Sequence, residues 1–289
     1  MRTVETSPMT RRAPFLGLAV AALLATGAAA QTAPAQTPAA GPPPLPRLDG
    51  YLTEAQTPDT FHVLPPAPKP GSPARAEDVA AFKETRKLQG TPRWELAIND
   101  AAEAGIIGDM TCALGVELTA ANAPHLFRML GRMGRDAGRI TNIAKNQFRQ
   151  ARPFVAVPGD AAICTEAVRE ATARSFSYPS GHVTWGWSVG LVLAEAAPDR
   201  AAPILARARA FGESRVVCGV HWPSDVSEGR TNASVLVSVL HADPAFAADL
   251  AEVKLEVAAA RSAQGSTPAG GAGRCKTEAD ASAVTPWTR

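Results

Sequence analysis

Aromatic side chains are scarce in this 289-residue chain, at 6% with only two tyrosines, and its charges nearly cancel at a formal +2. A balance so close to neutral, with no basic run interleaved with aromatics, excludes the footprint of a nucleic-acid partner. Alternating β-branched runs are absent, and with them the mark of half-buried strands. The four cysteines, Cys112, Cys164, Cys218 and Cys275, include no C-x-x-C pair, which argues against a structural zinc. Past residue 30 no apolar stretch makes a convincing span of roughly 20 residues, so none is expected in the mature protein. No internal repeat is visible.

What is present begins with an export signal over residues 1–30. Arg11 and Arg12 precede an apolar stretch at 15–24, and Ala28-Ala29-Ala30 offers a small-residue cleavage site. A twin-arginine route and an uncleaved anchor are the alternatives to ordinary export and cleavage near Ala30. A periplasmic or secreted location follows. Residues 31–50, with six prolines, read as a Pro/Ala-rich disordered linker, and 262–289 as a flexible C-terminal tail. Residues 51–261 between them are long enough for one domain with a sizeable core. In an oxidising compartment four cysteines allow two disulfides by three pairings. A bridge from Cys275 to Cys112 would pin the tail, leaving Cys164 for Cys218.

Ala, Leu, Arg and Glu dominate the regular segments, and the chain reads as all-α. Helices are expected at 76–88, 93–104, 120–132, 136–148, 184–196, 201–213, 224–242 and 244–260. Asn122, Asp199 and Asp243 each stand shortly before a proline or an apolar-periodic run, as N-capping residues do. The segments 183–197 and 234–240 are apolar nearly all round, which suits central buried helices. A proline-rich stretch at 58–73 is expected to cross the surface in extended conformation.

Three blocks carry the chemistry. In the first, KNQFRQARP at 145–153, Lys145 and Arg152 are seven residues apart, within about 20° of one face if the helix continues. Pro153 disfavours the helical region for Arg152, so the helix is expected to end there. A basic pair at a helix C-terminus also simply suits the macrodipole. The second block, PSGH at 179–182, precedes an apolar helix. Its glycine lets the backbone approach an anion, with Ser180 and the Gly181 amide as donors and His182 at the rim. A plain turn with Ser180 as cap is the bland alternative. In the third, SRVVCGVHWPSD at 214–225, Asp225 follows His221 by four, so a helix starting at Trp222 or Pro223 lets the carboxylate fix the imidazole tautomer. Asp225 also suits a helix first turn, and Arg215 either grips phosphate or pairs with Glu213 or Glu228.

Together and in order, the blocks match a signature: Lys, six residues, Arg-Pro; then Pro-Ser-Gly-His; then Ser-Arg, five residues, His, three residues, Asp. The chain thereby resembles the class A bacterial non-specific acid phosphatases, in the type 2 phosphatidic acid phosphatase superfamily that shares its site with vanadium haloperoxidases. Further stretches of likeness, from LPPAPKPGS at 64–72 to LHADPAFAADL at 240–250, extend it over the predicted domain. The resemblance implies a single-domain helical bundle of the acid phosphatase / vanadium haloperoxidase type. It implies that His221 attacks phosphorus to form a phosphohistidine, with Asp225 orienting it and His182 acting as general acid and then base. Lys145, Arg152, Ser180, Gly181 and Arg215 would hold the phosphate. No metal or other cofactor is implied, and vanadate is expected as an inhibitor that mimics the transition state. Small phosphomonoesters are the expected substrates, and a homo-oligomer is compatible with the apolar helices. The competing readings are a vanadate-dependent haloperoxidase and a non-catalytic phosphate-binding protein.

Overall fold

The computed structural model describes residues 49–159, 161–265, 269–284, 286 and 287. The expected signal peptide at 1–30, and the expected linker at 31–50 except for its last two residues, lie outside the described residues. The helices are α1 (Pro73–Thr85), α2 (Pro92–Asn99), α3 (Ile106–Asp109), α4 (Thr111–Leu114), α5 (Pro124–Phe148), α6 (Pro153–Ala156), α7 (Arg169–Ala173), α8 (Gly181–Ala196), α9 (Ala201–Val217), α10 (Pro223–Leu240), α11 (Pro244–Gln264) and α12 (Ala272–Ala283). No strand occurs among the described residues, and the fold is all-α.

Several helices open on a capping side chain followed by proline. Ser72 accepts from Arg75 N ahead of Pro73, Thr91 from Trp94 N ahead of Pro92, and Asp243 from Ala245 N and Phe246 N ahead of Pro244. Two expected caps differ. Asn122 turns back to accept from Thr119 N, and the α5 amides of His125 and Leu126 are met instead by the Glu256 carboxylate of α11. Asp199 pairs with Arg261, and α9 has no side-chain cap. In both places a tertiary ion or hydrogen bond outcompetes the local one.

The expected helices at 120–132 and 136–148 are one helix, α5. Leu126, Met129, Met133, Ala137, Ile140 and Ala144 form an unbroken buried stripe along it. Each large side chain there contributes roughly 1.5–3 kcal/mol by leaving water. That outweighs the roughly 1 kcal/mol each that Gly131 and Gly134 cost a helix interior. The expected helix at 93–104 ends early, at Asn99, because Asp100 turns inward to bind buried Arg207.

Helix α8 lies at the centre, against α9, α10, α5 and α11. Its glycines permit this. A Cβ on Gly190 would stand 2.5 Å from the Ala208 Cβ, and one on Gly186 2.5 Å from the Phe211 ring, so α9 sits closer than any side chain would allow. The pair α10 and α11 would pass a length and composition test for a membrane only together, and it bends by 100°. No single helix among the described residues is long and apolar enough to cross a bilayer.

The expected flexible tail at 262–289 is corrected over its described residues. Helix α11 continues to Gln264, and α12 packs against α2. Cys275 is bridged to Cys112, Glu278 pairs with Arg207, and Trp287 is buried against Ala81, Val183, Val216 and Val226. These long-range attachments order a segment whose composition alone argues for none. The second bridge is Cys164–Cys218, so both expected pairings are present.

Candidate active site

Helix α5 stops at Phe148 because Arg149 adopts a left-handed conformation, φ 51°, with its N–H returning to the Lys145 carbonyl. The helix therefore ends four residues before Arg152, and Lys145 and Arg152 do not share a helical face as expected. Arg152 sits instead in extended conformation ahead of Pro153. The two cations still converge. Lys145 Nζ donates to the Phe176 carbonyl at 2.8 Å, and Arg152 binds Ser175 through Nε and Nη2. Arg152 Nη1 reaches the Val220 carbonyl at 2.8 Å and His221 Nε2 at 3.1 Å.

Ser180 is fully buried, and its hydroxyl caps α8 by accepting from Val183 N. Gly181 borders the site, and a Cβ there would come 3.2 Å from Thr141 Cγ2. Glycine is needed across the crossing too, since a Cβ on Gly229 of α10 would stand 2.9 Å from the Ser180 carbonyl. His182 is buried rather than solvated. Its ring stacks on Phe211 at 4.4 Å and 10°, its Nδ1 lies 3.1 Å from Glu103 Oε1, and its Nε2 is buried without a hydrogen-bond partner.

After α9 the chain turns at Gly219, φ 76°, where a Cβ would collide with the Arg86 guanidinium. The turn sends His221 N back to the Arg215 carbonyl at 3.3 Å and opens α10. Asp225 then meets both Trp222 N, at 2.9 Å, and His221 Nδ1, at 3.1 Å, through Oδ2. Its Oδ1 accepts from Gln150 Nε2 at 2.8 Å and Ser177 Oγ at 3.3 Å. Four donors suit an ionised carboxylate. With Nδ1 donating to Asp225 and Nε2 accepting from Arg152, the His221 tautomer is defined by its partners. Arg215 is buried with Nε and Nη1 lacking hydrogen-bond partners.

A cavity of about 500 Å³ receives Lys145, Arg152, Gly181, His182, Arg215 and His221 together. Ser180 and Asp225 stand behind its wall. Burial, reinforced by the neighbouring Arg152, Lys145 and Arg215, holds His221 well below the usual histidine range. Burial and Arg215 lower His182 to about 4, against the opposing pull of Glu103. Burial brings Lys145 down to about 8 and Arg152 and Arg215 to about 10, so all three remain cations through the acidic range. Burial raises Asp225, and the Trp222 amide, Arg152 and Lys145 pull it back toward the ionised form that its four donors favour.

A family model described as the PAP2 superfamily matches residues 128–246, which contain all eight of these residues. An acid phosphatase of Zymomonas mobilis subsp. mobilis is 44% identical over 223 residues, 74% of this chain and 84% of that protein. The non-specific acid phosphatase of Providencia stuartii is 37% identical over 211 residues, 72% and 84% of the two chains, and that of Salmonella typhimurium 33% over 226, 74% and 90%. The chain belongs to the class A bacterial non-specific acid phosphatases. Its cavity gathers three fixed cations and two imidazoles, each with Nδ1 at a carboxylate, and such cations suit the charge of a phosphoryl group in transfer.

Several residues of the acid phosphatase site escaped sequence reasoning. Glu103 lies in a 3-10 turn, Glu103–Gly105, with no motif around it, and nothing local links it to His182. Phe211, under the His182 ring, looks like any core aromatic of α9. Gln150 and Ser177 stand inside or beside signature blocks at positions the signature leaves undefined, which was the available signal.

Proposed function

We propose that this acid phosphatase hydrolyses a broad range of phosphate monoesters through a phosphohistidine on His221, without a metal. The observation that carries the reading is the placement of His221 Nε2, backed by Asp225 on Nδ1, in one cavity with the unpartnered Arg215 donors and the unpartnered His182 Nε2. The Nε2 lone pair attacks phosphorus in line, forming the P–N bond as the P–O bond to the leaving group breaks. Protonated His182 delivers its Nε2 proton to the departing oxygen. It then takes a proton from the water that attacks phosphorus, the P–N bond breaks, and phosphate leaves. Asp225 stabilises the cationic His221 of the intermediate. Lys145, Arg152 and Arg215 hold the equatorial oxygens, with Gly181 and Ser180 at the N-terminus of α8.

His221, held far below its ordinary range, is neutral and nucleophilic through the acidic range. His182, lowered to about 4 by burial and Arg215, needs the charge of a bound phosphate dianion to stay protonated above that pH. The rate is therefore expected to be bell-shaped on the acidic side of neutrality. The protein is further proposed to be exported with cleavage near Ala30, and N-terminal sequencing of envelope fractions tests this.

Brief mixing with 4-nitrophenyl phosphate followed by denaturation should trap acid-labile phosphate on His221. His221→Ala should lose turnover by at least a thousandfold and lose the trapped phosphate, while still binding phosphate. Turnover should survive EDTA and be inhibited by vanadate. Full activity without any trapped phosphoenzyme at millisecond sampling would defeat the covalent route, and loss under chelation would defeat metal independence.

A further inference from the structure

Away from the cations the cavity changes character. Its wall there is Ala101 and Ala104 on one side, Gly134 and Gly138 of α5 on another, and Trp185 of α8. Trp185 follows His182 by three residues, about 4.5 Å along the helix, while Gly138 precedes Lys145 by seven, about 10 Å. The indole is partly exposed, and its Nε1 donates a long 3.5 Å hydrogen bond to the Glu103 carbonyl. A Cβ on Gly134 would stand 3.5 Å from Trp185 Cζ3, in van der Waals contact, and one on Gly138 would meet nothing within 4 Å. The α5 wall is thus bare backbone beside the ring, with open space one turn nearer the cations.

We propose that Trp185 and the bare α5 backbone at Gly134 and Gly138 form a leaving-group slot that favours monoesters carrying a planar aromatic ring near the phosphate. The inference rests on the phosphomonoesterase reading and adds a substrate class to it. A flat ring in the open space beside Gly138 contacts the indole over its face, a contact that a polyol cannot match even though Thr141, Asn142 and Thr172 also line the cavity. Glu103, held ionised by its hydrogen bond with His182, lines the same cavity and repels leaving groups bearing a second anion. Aryl phosphates carry that ring directly on the ester oxygen, and nucleoside monophosphates carry one a ribose farther away.

The test compares kcat/KM for phenyl phosphate, adenosine 5′-monophosphate and glycerol 2-phosphate in the wild-type protein and in Trp185→Ala, Trp185→Phe and Gly138→Leu. Taking each variant over wild type for one ester cancels the intrinsic reactivity of that leaving group. Trp185→Ala should lower phenyl phosphate roughly five- to tenfold more than glycerol 2-phosphate, and Trp185→Phe should restore most of the difference. Gly138→Leu, which fills the open space, should show the same selectivity and decides the matter alone should Trp185→Ala fail to fold. A parallel loss with adenosine 5′-monophosphate supports a slot deep enough for a base, and a glycerol-like response supports one for an aryl ring alone. Equal losses across the three esters, or none, would overturn the slot and leave Trp185 a support of α8. Failure of the wild-type protein to turn over any of the esters would count against the phosphomonoesterase reading instead.

Discussion

Both histidines of the cavity present Nδ1 to a carboxylate at 3.1 Å, His221 to Asp225 and His182 to Glu103, so their difference lies in what surrounds each pair. Asp225 is fully buried with four donors, whereas the Glu103 side chain is 57% exposed, which weakens its hold on its imidazole. Arg152, Lys145 and Arg215 crowd His221, and Arg215 is the cation that chiefly weighs on His182. In the proposed mechanism an incoming dianion would recruit its proton to His182 and leave His221 free to attack. Because Glu103 raises the His182 pKa, Glu103→Gln should lower it. The basic limb of the kcat profile should then move toward acid by about one pH unit, with phosphate affinity little changed. A pH–rate profile on a single ester checks this, and an unmoved basic limb would leave Glu103 without a role in setting the acid. The spacing of His221 and Asp225 was readable because four residues is one helical turn. The Glu103 contact was not, since 79 residues separate it from His182 and no local rule joins them.

The crossing of α8 on α9 decides how His182 is held. Gly186 and Gly190 both admit α9 at 2.5 Å from a notional Cβ, but only Gly186 faces the ring on which His182 stacks. Gly186→Ala and Gly190→Ala should each destabilise by about 1–3 kcal/mol through overpacking, measured by chemical denaturation. Gly186→Ala should in addition lower kcat by tilting Phe211 from under the imidazole, and Gly190→Ala should not. Similar kcat values in the two variants would show that Phe211 serves packing alone. At this scale the apolar-all-round character of 183–197 correctly marked the central helix. The break expected between 132 and 136 did not occur, because burial of a continuous stripe exceeds the local cost of two glycines. The end of α5 at Phe148 matches the expected end of the 136–148 helix and not the end at Arg152 that Pro153 suggested. It depends on a left-handed Arg149, a conformation that no residue type in that stretch announces.

Across the whole molecule, the C-terminal segment returns over the scaffold behind the cradle. Cys275 is tied to Cys112 across 163 residues, Glu278 joins Arg207, Arg207 joins Asp100, and Asp100 accepts from Ser214, the neighbour of Arg215. Trp287 packs on Val183 and Val216, the neighbours of His182 and Arg215. Cys275→Ser should therefore lower stability by about 2–5 kcal/mol, read as a fall in Tm, the bridge closing a long loop in the unfolded chain. An unchanged Tm would show that α12 is held by its packing and ion pair alone. The sequence by itself determined the helical class, the His221–Asp225 pair and the inventory of cations, because periodicity, capping and signature spacing act over a few residues. Only the tertiary structure decided which of the three disulfide pairings forms, that 272–283 is a helix, and that Arg152 meets His221 and Glu103 meets His182. Those contacts join segments tens of residues apart, and burial and charge, which set the proton affinities of the site, exist only once such segments have packed.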